Sequence, residues 1–325
     1  MYRMHFESLC YERLIPFKAA TTHEARIVVF GDLHASLVLI ERCAAANVLH
    51  YRQSRGYTSH LYSQFRDYAN ASTDENHPKL LSTFIQLLNS FFFSSSCLYI
   101  FLGNVLCDRG VNDLFVLVVL KKLWNETQDR LIVIKSDHEE NFLSNILPIL
   151  KQRSPQPVLT EVQTCLKNNL WEGVADAATL YGSSYRFVTS LYKSEYRSYF
   201  YSQFRTSSSC ENLLLNIILP WKVITTGNTH YVFSYIPLAK GELHHIVVEH
   251  CRKFHNMSLE PCKKSVKGLK DPSYVPTNII NVHGQVPVES CGQNNIVDAD
   301  HVSLNCTDIY DATKTIQIGC VGILW

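Results

Sequence analysis

Three short apolar runs, RIVVF from Arg26, CLYIFLG from Cys97 and RLIVIKS from Arg130, constrain this chain more than any other feature. None alternates polar with apolar residues, so each reads as a strand buried on both faces. Helix-like stretches lie between them: Leu37 to Leu49, LLSTFIQLLNSFF from Leu80, and Leu114 to Trp124. Successive strand–helix units need crossover connections, which implies a mainly parallel sheet with helices outside it. From Trp221 the pattern changes to short segments, KVITTG, HYVFSYI, HHIVVEH, NIINVHG, HVSLNC and TIQIGCVGIL. These are expected to form a second, mostly antiparallel sheet packed face to face on the first. Tyr51 to Pro78 shows no clear period and reads as an insertion loop with at most a short helix.

Composition narrows the function classes. With 325 residues, 46% of them hydrophobic, the chain can bury a large core, and a single domain over 1–325 is expected. Residues 1–25 read as an N-terminal arm. The stretch 149–209 is polar and rich in tyrosine, and reads as a helical cap insertion. Arg186, Lys193 and Arg197 lie among those tyrosines, a pairing that can stack single-stranded nucleic acid. A net charge of +1 argues against that use and favours rings packed in an amphipathic cap. No nucleic acid partner is expected. No apolar stretch is long enough to span a bilayer, and the start lacks the pattern of a secretory signal. The 11 cysteines are scattered without a C-x-x-C pair, which points to a reducing compartment. A cytoplasmic location is expected, and the Asn-x-Ser/Thr triplets at Asn70, Asn125, Asn256 and Asn305 are read as chance.

In open α/β sheets, functional residues gather beyond the carboxyl ends of the strands. Here the three runs end in polar clusters: Gly31-Asp32-Leu33-His34, Gly103-Asn104 through Asp108-Arg109-Gly110, and Ser136-Asp137-His138-Glu139. Asp-x-His at a strand end brings a carboxylate and an imidazole within reach of one divalent ion.

The order GDLHAS, GNVLCDRG, SDHEE and, near the end, NVHGQVPV resembles the calcineurin-like metallophosphoesterases, in particular their phosphoprotein phosphatase branch. That family shows GDxHG, GDxxDRG, GNHE and two later histidines. The resemblance runs from about Ile27 to Gly322 and implies a four-layer α/β/β/α sandwich of two mixed sheets flanked by helices. It implies that Asp32 and His34 hold the first metal and that Asn104 stands at the aspartate shared by both. Asp137 stands at the asparagine of the second metal. His138 matches the histidine that protonates the leaving group, Asp108 the aspartate that orients it, and Arg109 the arginine that grips phosphate. The second motif is one residue longer than the common form, and its spacing looks like that of phosphatase-type proteins which intracellular bacteria deliver into host cells. Delivery into a host cytosol is therefore a second expectation for location.

The later ligand positions depart from the pattern. Phe233 and Gln285 stand where histidines are expected, and His283 falls on the opposite strand face. His230, His244, His245 and His250 are spare histidines nearby. Two divalent cations about 3.5–4 Å apart repel by roughly 20 kcal/mol at an effective dielectric near 20, and an anionic bridge is the main offset. Asn104 supplies only a neutral oxygen. The expectation is at most one weakly bound Mn2+ or Mg2+, or none. The functional expectation is a weak or inactive pseudophosphatase that binds a phosphorylated or other protein partner. An active, atypical metal-dependent phosphatase acting on phosphoserine, phosphothreonine or phosphotyrosine is the alternative, and a nuclease or cyclic-nucleotide hydrolase is disfavoured by the DRG segment.

Overall fold

The structure is a computed structural model that describes residues 27–70, 77–106, 113–127, 130–147, 194–226, 229–256, 278–288, 296–298, 301–306 and 321–324. The arm 1–25, Asp108, Arg109 and most of the expected cap lie outside these residues. In chain order the elements are β1 (Ile27–Phe30), α1 (Val38–Ala45), β2 (Leu49–Tyr51), α2 (Arg55–Asn70), α3 (His77–Asn89), β3 (Phe91–Phe93), β4 (Leu98–Phe101), α4 (Asp113–Thr127), β5 (Leu131–Ile134) and α5 (Asp137–Asn141). Then come α6 (Ser194–Phe204), α7 (Ser207–Ile217), β6 (Ile218–Leu219), β7 (Lys222–Thr226), β8 (Thr229–Ser234) and α8 (Lys240–Asn256). The described strands end with β9 (Ile279–Val288), β10 (Ile296–Asp298), β11 (His301–Cys306) and β12 (Val321–Leu324).

The fold is mixed α/β. The first sheet has the order β12-β1-β4-β5-β6, and β1, β4, β5 and β6 run parallel. Its strands divide their side chains by the two-residue alternation of a pleated strand. Val28, Phe30, Tyr99, Phe101, Leu131 and Val133 join the apolar cluster formed with α1 to α4, α6 and α7. Val29, Ile100, Leu102, Ile132 and Ile134 turn the other way and meet Tyr231 and Phe233 of β8 and Val282 of β9. The continuous apolar runs seen in the sequence are thus explained: both faces of each strand are covered. A third cluster packs Leu243 and Val247 of α8 on Val223 and Val232, on the far side of the second sheet.

Several expectations are corrected. The second sheet, β10-β11-β9-β8-β7, is mixed: β8, β9 and β11 are parallel neighbours, and β7 and β10 pair antiparallel at its edges. The last run, TIQIGCVGIL, supplies β12, which pairs antiparallel with β1 in the first sheet. HHIVVEH is helical within α8. Its triplet Ile246-Val247-Val248 suggested a strand, but Leu243 and Val247 bury at helical spacing, and Glu242 accepts a hydrogen bond from the Ala239 N–H at 2.9 Å, as in a capping box. The loop expected over Tyr51 to Pro78 contains the 16-residue α2. Its buried positions Thr58, Leu61, Tyr62 and Phe65 do follow a helical period, but polar-edged residues carry part of it. Phe91 and Phe92, read as the end of a helix, belong to β3, paired antiparallel with β2.

Of the described tyrosines in the expected cap, Tyr196 and Tyr199 pack against the ring cluster of Phe65, Phe84 and Phe115. Phe84 and Phe115 have centroids 4.4 Å apart. Phe84 is fully buried where α2, α3, α4 and α6 meet. Phe84→Ala is expected to destabilise the fold by about 3–5 kcal/mol, measured by denaturant unfolding.

On α1, burial raises the Glu41 carboxyl from 4.5 to about 7, partly opposed by Arg66. The folded chain therefore holds this proton more tightly than the unfolded chain does. Its contribution to stability is complete below about pH 4.5 and is lost as pH rises through about 7. Glu41→Gln should gain stability relative to the natural chain between pH ~4.5 and pH ~8, as measured by denaturant unfolding at the two pH values.

Candidate metal and phosphate site

Because β1, β4 and β5 are parallel, the segments after them emerge at one edge of the sheet. The first two are tied by main-chain hydrogen bonds: the amides of Leu33 and His34 donate to the Asn104 carbonyl at 3.0 and 2.6 Å, and that of Ala35 to the Val105 carbonyl at 2.8 Å. Both take left-handed backbone, with φ of 45° at His34, 54° at Ala35, 95° at Gly103 and 50° at Asn104. Such φ values are uncommon outside glycine, and asparagine is among the residues that tolerate them best.

Two buried side chains hold these turns. Glu139 accepts from the amides of Val105 and Leu106 through Oε1, at 2.8 and 3.1 Å, and from the Asn104 amide through Oε2 at 3.1 Å. The Ser136 hydroxyl also donates to Oε2. Burial pushes the Glu139 carboxyl up, while these donors and nearby His34 pull it down. From α1, Arg42 donates through Nη1 to the carbonyls of Gly31 and Asp32 at 3.2 and 3.1 Å. Sequence reasoning placed Glu139 in a polar cluster without giving it a role, and missed Arg42. Ser136 and Glu139 have the spacing of a capping box, but here the glutamate reaches across to the neighbouring turn.

Within this frame Asp32, His34, Asn104 and His138 come together, all buried. Asn104 Nδ2 donates to Asp32 Oδ2 at 2.9 Å, and His34 Nε2 lies 3.4 Å from the same oxygen. The His34 and His138 rings meet edge to face, with centroids 5.0 Å apart. Asp32 Oδ1 and Asn104 Oδ1 are buried without a hydrogen-bond partner among the described residues. Such oxygens are the donor type a hard cation takes, with His34 beside them, while no group of three or more His, Cys, Asp or Glu that could hold a metal ion occurs among the described residues.

Asp137 is exposed at the rim, and there it meets a residue that sequence reasoning did not single out. The Tyr235 hydroxyl donates to Asp137 Oδ1 at 2.9 Å. Burial and the charges of Asp137 and Asp32 push that phenol well above its usual range, with Asn104 acting the opposite way. No motif pointed to Tyr235, which lies just past the end of β8, two positions from Phe233.

Phe233 is fully buried in the apolar cluster between the sheets. Gln285 lies on β9, its side chain outside what the structure describes. Its neighbour Gly284 backs onto the pocket: a Cβ there would stand 3.0 Å from Asp32 Oδ1 and 3.1 Å from the Leu102 carbonyl oxygen. His283 is buried on the alternate position of β9, with Nδ1 3.0 Å from the Gly284 carbonyl oxygen. His230 pairs with Thr225 at 2.9 Å, and burial lowers its pKa. His244, His245 and His250 lie on α8, across the second sheet. The second ligand set implied by the resemblance thus has an apolar ring at one position and a tyrosine on its carboxylate, which does not suit a second dication.

Residues 98–209, about a third of the chain, match the family model described as WipA-like, phosphatase domain. The segment includes Asn104, Asp137, His138 and Glu139 and supports a phosphatase family. No curated protein matches the chain. Among the described residues, no helix is long and apolar enough to cross a membrane.

Among the described glycines, Gly103 leaves the least room for a side chain. A Cβ there would come within 2.8 Å of Tyr235 Cδ2 and 2.9 Å of Ser136 Cβ, at a φ of 95°. Gly103→Ala is expected to cost about 2 kcal/mol or more, seen as a lowered Tm by circular dichroism.

Proposed function

We propose that this chain is a calcineurin-like metallophosphoesterase of the phosphoprotein phosphatase branch whose two-metal centre has decayed. Its pocket binds the phosphate group of a phosphorylated protein, holds at most one Mn2+ or Mg2+ weakly, and hydrolyses little or nothing. The observation that carries this reading is Asn104, which donates from its amide to Asp32 where the family places a shared carboxylate. The four-layer order of that fold is supported by the three apolar clusters, which lie between helices and first sheet, between the sheets, and between second sheet and α8. The phosphatase class is supported by the family-model match.

In this reading Asp32, His34 and Asn104 hold the ion, which supplies Lewis acidity toward a phosphate oxygen or a bound water. His138, buried beside His34, is the proton donor to a leaving oxygen, and Arg109 and Asp108 complete phosphate binding and histidine orientation. With one weak ion and no anionic bridge, water activation is the function that suffers most, while phosphate binding depends on groups that remain.

An active, atypical phosphatase is the second reading, favoured by the intact grouping of Asp32, His34 and His138. Turnover of an aryl phosphate and of phosphoserine, phosphothreonine and phosphotyrosine peptides with added Mn2+ separates the two. The expected outcome is binding of phosphopeptide by calorimetry without appreciable turnover. Clear turnover abolished by Asp32→Ala establishes the active reading instead.

A further inference from the structure

Asp32 and Asp137 each accept from a neutral donor. Asn104 Nδ2 donates to Asp32 Oδ2 at 2.9 Å, and the Tyr235 hydroxyl donates to Asp137 Oδ1 at 2.9 Å. The Tyr235 ring cannot drop toward the backbone, because it already fills the space over Gly103 that a side chain would take.

We infer that Tyr235 is a built-in stopper of the second cation position, its hydroxyl occupying the Asp137 oxygen that a second ion would need. This rests on the metal-site reading above and goes beyond it, because it names a residue outside the motifs as the obstacle. The hydroxyl's hydrogen bond to the carboxylate is an interaction that an incoming ion has to replace. Restoring a carboxylate at position 104 is therefore not enough to rebuild a two-ion centre while Tyr235 is in place.

The test uses the full chain and Mn2+ alone, with stoichiometry read by calorimetry and ion pairing by electron paramagnetic resonance. The natural chain and Asn104→Asp are each expected to take one ion and give the spectrum of isolated Mn2+. Adding Tyr235→Ala to Asn104→Asp should admit a second ion, coupled to the first, with affinity at least about tenfold above that of the single variant. Tyr235→Phe in the same background keeps the ring over Gly103 and guards against a folding defect. It should raise second-ion affinity in the same direction by removing the donor.

Two coupled ions in Asn104→Asp alone, bound as tightly as in the double variants, would overturn the stopper. So would the absence of a second ion from both double variants while the first, lost in Asp32→Ala, persists. If no protein binds an ion that depends on Asp32, the metal-site reading fails and the stopper fails with it, a result recognisable by the missing first ion.

Discussion

The pocket depends on one buried carboxylate. Glu139 accepts from three consecutive amides of the turn after β4 and from the Ser136 hydroxyl, joining the second and third strand ends. That turn carries left-handed residues whose strain needs an outside hold. Buried amides without acceptors would each cost about 1–3 kcal/mol, and one side chain satisfies all three. Arg42 does the reciprocal work for the first strand end, donating to carbonyls where Glu139 accepts from amides. Neither residue need touch a ligand for the pocket to rely on it.

Asn104 is the point where structure and chemistry pull together. Its carbonyl receives two amides of the first turn, its amide reaches Glu139, and its side chain reaches Asp32. An asparagine suits the backbone there and needs no counter-ion, so the loop geometry survives the change of ligand chemistry. The proposed loss of ions is compatible with the scaffold seen here for this reason: the parts that hold the shape are hydrogen bonds.

The central strands were legible because both faces are apolar, and the turns after them because polar motifs interrupt those runs abruptly. Asp32, His34, Asn104 and His138 were found that way and do come together. Other features were hidden by the limits of local pattern. The helix α2 uses Thr58 and Tyr62 on its buried side, which blurs its period. The β-branched triplet of α8 favours a strand locally, but packing on Val223 and Val232 decides. β12 is read as one more strand of the last group until its partner is known, since antiparallel pairing to β1 leaves no mark in its own sequence. Tyr235 and the role of Glu139 were hidden for the same reason, because each acts through a neighbour distant in the chain.

The close approach of Gly284 to Asp32 has a consequence for how the pocket comes into being. Asp32 leaves β1 near one end of the chain and Gly284 belongs to β9 near the other, so the wall that keeps water from the carboxylate arrives only when the two sheets dock. Tyr235 arrives with the same sheet. The segment shared with the phosphatase family model contains Asn104, Asp137 and His138 but none of these three residues. The pocket is therefore a long-range product of folding, and its Gly284 wall is a property of the docked sheets that no local stretch of the chain carries by itself.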